Sequence, residues 1–158
     1  MNNKSITILL SILLVTACNQ SNESSQVNVY EEPIYSTPSI QRNPAPEGAS
    51  VYFIGLEANA LVSSPVKVEF GLTGMDIVPS GQNAPYTGHH HIIINADLPD
   101  MNFPIPADKN YVHFGDGSAE TELNLEQGEH TLQLILGDYL HIPHSPPIYS
   151  EKITITIK

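Results

Sequence analysis

The segment Gly88-His89-His90-His91-Ile92-Ile93-Ile94-Asn95 joins three consecutive histidines to three isoleucines. Isoleucine is β-branched and favours strands, so the segment predicts a strand that runs into a hydrophobic core. Side chains alternate between the two faces of a strand, which puts His89 and His91 on one face roughly 6 to 7 Å apart, close enough for one metal ion. His90 shares the other face with Ile92 and Ile94, and we expect its ring to bond to the backbone at the edge of the core.

Six further segments have the period-2 alternation or the residue preferences of strands. They are 51–57, 66–70, 111–114, 120–125, 130–136 and 152–157. No stretch after Ser50 has a convincing helical period. Seven short strands in about a hundred residues, separated by Gly, Pro and Asn turns, predict an all-β fold, an immunoglobulin-like β-sandwich. The core tryptophan and paired cysteines of antibody domains are missing, so this prediction depends on strand number and alternation.

The predicted topology brings distant histidines together. If each strand runs antiparallel to the one before it, the start of the third strand and the ends of the fourth and sixth strands meet at one pole of the sandwich. The third and sixth strands are also neighbours in one sheet of that fold. Five histidines would then converge: His89, His91, His113, His141 and His144. His130 begins the sixth strand at the opposite pole, where we expect a structural role.

Converging histidines predict a transition-metal site. Neutral imidazole is a ligand for zinc, copper, nickel and iron, and three or four nitrogens form a site. The sequence therefore predicts metal binding by the five histidines, with copper or zinc as the ion. Asp116 and Asp138 are candidate acceptors for a second ring nitrogen, and Met75 is a candidate thioether ligand that would favour copper.

The alternative is that the histidines are structural. His89 and His91 would then be solvated strand residues, and His141 and His144 ordinary turn residues around Pro143. His113 precedes a glycine-rich turn, and its ring would orient that turn. A non-enzymatic envelope module that binds a protein or a glycan through these loops is the functional form of this alternative.

Enzymatic activity has little support in the sequence. It contains no Gly-x-Ser-x-Gly elbow, phosphate-binding loop or His-Glu-x-x-His helix. Its single cysteine, Cys18, lies in an N-terminal segment that resembles a lipidation signal, so no free thiol remains to act as a nucleophile. A Ser-His-Asp triad is recognised by its geometry and not by its sequence spacing, so this alternative stays open. Because no catalytic motif is present, we expect a protein that is not an enzyme.

Residues 1–17 have the features of an export signal. Lys4 precedes an apolar run from Ile6 to Val15 that is too short to span a bilayer. The sequence Val15-Thr16-Ala17-Cys18 resembles a bacterial lipobox, which implies cleavage before Cys18 and lipidation of its thiol. Asn19 stands where an aspartate is associated with retention in the inner membrane. The resemblance therefore implies a lipoprotein of the outer membrane that faces the periplasm.

Residues 18–50 predict a flexible tether between the lipid and the folded domain at 51–158. The stretch is rich in Asn, Ser, Gln, Glu and Pro and cannot bury enough apolar surface to offset its ordering entropy. The chain has 17 acidic and 6 basic residues and a net charge of -11, which disfavours nucleic acid and anionic lipid. We expect a metal ion as partner and membrane contact through the lipid anchor alone. The sequence does not identify a protein partner.

Several motifs in combination are similar to a known family. They are Val62-Ser63-Ser64-Pro65-Val66, Gly88-His89-His90-His91, His113-Phe114-Gly115, Gly137-Asp138 and His141-x-x-His144-x-Pro-Pro. Together they resemble DUF4399, a bacterial family of unknown function found in small exported proteins, over about residues 51–158. The family pattern has a further histidine where Tyr139-Leu140 stands here and a glycine in place of Asp116. The resemblance implies no activity.

Overall fold

The computed structural model describes residues 40–158 of the 158-residue chain. The predicted signal peptide, Cys18 and the tether up to residue 39 lie outside the described residues. From residue 40 onwards the chain forms strands and no helix, which confirms the prediction of an all-β protein. Residues 40–158 accordingly offer no long apolar helix that could cross a membrane.

Within residues 40–158, nine strands form two sheets. The strands are β1 (Ser50–Ile54), β2 (Leu61–Val62), β3 (Val66–Thr73), β4 (Asp76–Ile77), β5 (Thr87–Ile94), β6 (Tyr111–His113), β7 (Glu120–Leu123), β8 (Gly128–Gly137) and β9 (Ile153–Ile157). One sheet has the order β1-β3-β7, and the other has the order β2-β9-β8-β5-β4 with β6 also paired to β5. Each of the seven predicted strands corresponds to an observed strand, whereas the two-residue strands β2 and β4 were not predicted.

The two sheets share one hydrophobic core. Alternation directs Val68 and Phe70 of β3 and Leu134 and Leu136 of β8 into the same cluster of buried side chains. Burying an aliphatic or aromatic side chain of this size contributes about 1.5 to 3 kcal/mol, so this cluster is the main source of stability. His90 lies on this face of β5, where its ring contacts Phe70 at a centroid distance of 5.1 Å.

A second, smaller core covers the opposite face of the six-stranded sheet. Ile93 of β5 and Ile135 of β8 point away from the main core and pack with Ile105. Ile105 belongs to the segment 95–110 that connects β5 to β6. Because this segment lies over the sheet, every residue of β5 is buried, on both faces. The outward histidines of β5 are therefore interior residues.

Candidate metal centre

Strand pairing places three histidines on the outward face of the six-stranded sheet. His91 is directly opposite His113 of β6, and His89 is opposite Gly137 at the end of β8. Residues opposite each other in antiparallel strands project to the same face. The sequence predicted that β5 and β8 are neighbours, whereas the pairing of β5 with β6 that places His113 opposite His91 was not predicted. They lie on the face of the sheet beside the end where β5 begins and β8 ends.

The three rings are close enough to share one ion. The Nε2 atoms of His89 and His91 are 3.1 Å apart. One ligand nitrogen from each of His89, His91 and His113 can be chosen so that all lie within 4.8 Å of one another. Two nitrogens bound to zinc at 2.0 to 2.1 Å in tetrahedral geometry are roughly 3.3 Å apart, so the observed pair fits a bound ion with little movement.

His141 adds a fourth ring beside the first three. Its ring centroid is 4.6 Å from that of His113, 4.9 Å from that of His89 and 6.0 Å from that of His91. Its nitrogens are not part of the three-residue group. We refer to His89, His91, His113 and His141 as the histidine cluster.

A side-chain cap shapes the turn that carries His141. The Oδ1 atom of Asp138 accepts hydrogen bonds from the backbone N–H groups of Leu140 and Ile142, at 2.8 and 2.9 Å. His141 takes a positive φ of 66° inside this turn, and its carbonyl accepts a hydrogen bond of 2.8 Å from the N–H of Ile105. A non-glycine residue in this conformation is uncommon, and the surrounding bonds hold it there.

Two glycines leave room for the rings. A Cβ atom on Gly115 would lie 2.3 Å from Cε1 of His113, and a Cβ atom on Gly137 would lie 3.0 Å from Nε2 of His91. Neither glycine has a positive φ, so close approach to a ring distinguishes these positions. The sequence predicted a glycine-rich turn after His113. It gave no indication for Gly137, which resembles an ordinary strand end.

Burial keeps the rings neutral. Removal from water lowers the pKa of His89 to about 3 and that of His91 to about 2, from a usual value of 6.5. The neighbouring histidines lower both pKa values further, because protonation of one ring disfavours protonation of the next. Burial also lowers the pKa of His113. At neutral pH these rings carry free lone pairs, which is the form that binds metals.

Several ring nitrogens in the cluster have no hydrogen-bond partner within residues 40–158. These are Nδ1 of His89, Nδ1 of His91 and Nε2 of His113. The predicted acceptors are directed elsewhere: Asp138 caps its own turn, and Asp116 accepts a 2.9 Å hydrogen bond from the N–H of Ser118. The proposed role of these two carboxylates as acceptors for a second ring nitrogen is therefore wrong for this structure.

His144 is buried but lies outside the cluster. Its Nε2 donates a hydrogen bond of 3.1 Å to the carbonyl of Thr87, at the start of β5. This contact ties the turn to the strand. Met75, the candidate thioether ligand, packs against the main core.

The remaining two histidines serve the fold. Both ring nitrogens of His90 lack a partner within the described part of the chain, so the predicted bond from this ring to the backbone is not formed. The ring instead packs on Phe70, and burial lowers its pKa to about 4. His130 donates from Nε2 to the carbonyl of Glu126 at 2.8 Å and accepts at Nδ1 from Asn95 at 2.9 Å. Its expected structural role agrees with these contacts.

Comparison with known proteins identifies a family and no activity. The model of the family described as "Domain of unknown function (DUF4399)" matches residues 68–158, which is more than half of the chain. The match includes all members of the histidine cluster. No curated protein and no solved structure has a significant match to the chain.

Proposed function

The chain belongs to the DUF4399 family, whose description assigns no activity, and we propose that this protein binds a transition metal ion, copper or zinc, through His89, His91 and His113. The observation that supports the proposal is the convergence of three imidazoles, two of them buried and that of His113 half-buried, with their ligand nitrogens within 4.8 Å of one another. Imidazole suits both ions, and the usual order of affinities places Cu²⁺ above Zn²⁺ at a site of this kind. Three protein ligands leave a further coordination position.

His141 is the proposed fourth ligand. Its ring touches those of His89 and His113, and it is only half-buried. A half-buried ligand beside the buried rings of His89 and His91 gives the ion a route in and out. We infer that the protein captures or hands on a metal ion and does not act on an organic substrate.

The proposed cellular setting follows from the N-terminal sequence. A lipid attached to Cys18 would hold the domain at the outer membrane, facing the periplasm. The folded part is proposed to be an immunoglobulin-like sandwich. The sheet orders support this, since β1-β3-β7 and β9-β8-β5-β6 correspond to the A-B-E and G-F-C-C′ strand orders of that class.

Direct metal binding by tag-free protein tests the proposal. The wild-type chain should bind one Cu²⁺ or Zn²⁺, and the double variant His89→Ala with His91→Ala should lose this binding. His130→Ala is a matched control, because this histidine makes its hydrogen bonds far along β8 from the cluster. Circular dichroism would verify that each variant is folded. Equal affinity in the wild type and the double variant would reject the proposal.

An interaction module is the second candidate. Phe103 and Leu140 are 58% and 50% exposed, and they lie on the two loops that the hydrogen bond from Ile105 to His141 holds together. Exposed apolar side chains on adjacent loops are typical of a contact surface. The two candidates differ in their response to a chelator: removal of a ligand that binds only the folded state lowers the melting temperature, whereas an interaction module is unaffected.

A further inference from the structure

The segment 42–45, which precedes the family match, is bound to the turn that carries His141. Arg42 donates from Nε to the carbonyl of Pro143 at 2.8 Å and from its terminal nitrogen to the carbonyl of His144. Asn43 and Ala45 pair with Ser145 through backbone hydrogen bonds of 2.8 and 3.1 Å. The stretch expected to be a tether thus contacts the domain before Val51.

This contact adds a further fixed point to the turn, whose Tyr139 carbonyl also accepts a hydrogen bond of 3.1 Å from the N–H of Gly81. The turn is tied to β5 by the ring of His144 and to the segment 95–110 by the carbonyl of His141. The guanidinium of Arg42 binds two successive carbonyls of the turn at once. A planar guanidinium has donors in a fixed arrangement, so such a contact fixes orientation as well as distance.

We propose that Arg42 is a positioning residue for the fourth metal ligand, His141. This inference rests on the proposed metal-binding function and adds a residue outside the matched family region. Arg42 contacts backbone carbonyls and no ring of the histidine cluster, so it acts on the ion through the turn. His89, His91 and His113 belong to strands β5 and β6 and do not depend on this contact.

The strand histidines and His141 then have different roles in metal binding. The three strand histidines determine whether an ion binds, while the turn held by Arg42 determines how tightly His141 closes on it. Loss of an outer contact of this kind typically lowers metal affinity about 10- to 100-fold. Since the other ligands remain, binding should stay at one ion per chain.

A double-mutant cycle on the full tag-free chain separates positioning from general destabilisation. Copper affinity is measured by competition with a chelator for the wild type, Arg42→Ala, His141→Ala and the combined variant. We expect Arg42→Ala and His141→Ala each to lower the affinity about 10-fold or more, with one Cu²⁺ still bound. Arg42→Ala should cause no additional loss when His141 is already alanine.

A spectrum of the bound copper, and a control variant that removes a different positive charge, make the test specific to Arg42. Electron paramagnetic resonance of the Cu²⁺ form should show one fewer nitrogen ligand in both single variants. Lys152→Ala removes an exposed cation paired with Asp97 and should leave the affinity and the spectrum unchanged. If Arg42→Ala does not fold, Arg42→Gln retains a side-chain donor and replaces it in the cycle.

The outcomes distinguish the two proposals. Wild-type affinity and an unchanged spectrum in Arg42→Ala would overturn the positioning role while leaving the metal site intact. Equal losses from Arg42→Ala in both backgrounds would also overturn it, because the effect would then not pass through His141. A wild-type chain that binds no metal would instead reject the proposed function itself.

Discussion

Replacement of Gly115 by alanine should disable the metal site without removing a histidine. The new Cβ would lie 2.3 Å from Cε1 and 2.7 Å from Nε2 of His113, well inside van der Waals contact. The His113 ring must therefore move by about 1 Å or more, since carbon atoms in contact are about 3.5 to 4.0 Å apart. The φ angle of Gly115 is not positive, so alanine adds no backbone strain of its own.

The magnitude follows from linkage between binding and folding. An ion present at 100 times its dissociation constant stabilises the folded state by about 2.7 kcal/mol. At about 4 °C per kcal/mol for a domain of this size, the wild type should melt about 11 °C higher with metal than with chelator. A 100-fold loss of affinity at the same metal concentration would leave about 0.4 kcal/mol, or about 2 °C.

The assay compares melting temperatures with and without metal for Gly115→Ala and Gly55→Ala. Gly55 has a φ of 72° and no atom within 4 Å of an added Cβ, so its alanine variant is strained but does not touch the cluster. We expect Gly55→Ala to be less stable yet to keep the full increase with metal, and Gly115→Ala to lose most of it. The reasoning is refuted if Gly115→Ala retains the wild-type increase.

Three further predictions concern the stability of the domain. In the presence of chelator, the domain should be less stable in acid. Burial lowers the pKa values of His89, His90 and His91 in the folded state to about 3, 4 and 2. Below pH 6.5 the unfolded chain therefore binds protons that the folded chain excludes. As the pH falls from 6.5 to the folded-state pKa, each of these histidines lowers the free energy of unfolding by about 1.4 kcal/mol per pH unit. An equal midpoint of urea unfolding at pH 7.5 and at pH 5.0 would contradict this prediction. His90→Leu should raise the free energy of unfolding measured in urea by about 1 to 3 kcal/mol, because it removes two buried nitrogens without partners. A less stable variant would contradict this and show that the imidazole packs better than leucine. Asp138→Ala should lower that free energy by about 1 to 3 kcal/mol, because the N–H groups of Leu140 and Ile142 lose their acceptor. Asp138→Asn keeps an acceptor oxygen and should retain most of the stability in the same titration.

The strands could be predicted because their side chains alternate over enough residues to give a signal. The long strands β3, β5 and β8 have eight to ten residues each and dominate the core. Strands β2 and β4 have two residues each, too few to show any period. Both are defined by parallel pairing, β2 with the distant strand β9 and β4 with the next strand β5, and such pairing is not visible in two residues of sequence.

The site could be predicted only as far as strand pairing determined it. His89, His91 and His113 meet because their strands are neighbours, and the approach of His141 follows from its position just after β8. The direction of His144 was not predictable from its spacing, because the positive φ of His141 and the cap from Asp138 turn the chain. Arg42 was missed because it lies among prolines and polar residues that indicated a tether.

The energetics of the cluster favour a metal over a structural role. A buried polar group without a partner costs about 1 to 3 kcal/mol, and a whole domain is stable by about 5 to 15 kcal/mol. Ile93 and Ile135 show that the same face of the sheet can be filled with apolar side chains at no such cost. Protons cannot satisfy the rings, because each protonated histidine lowers the pKa of its neighbours. One divalent ion can accept several of these lone pairs at a single point. We therefore expect the cluster to destabilise the metal-free domain, and the core shared by the two sheets to supply the stability that tolerates it.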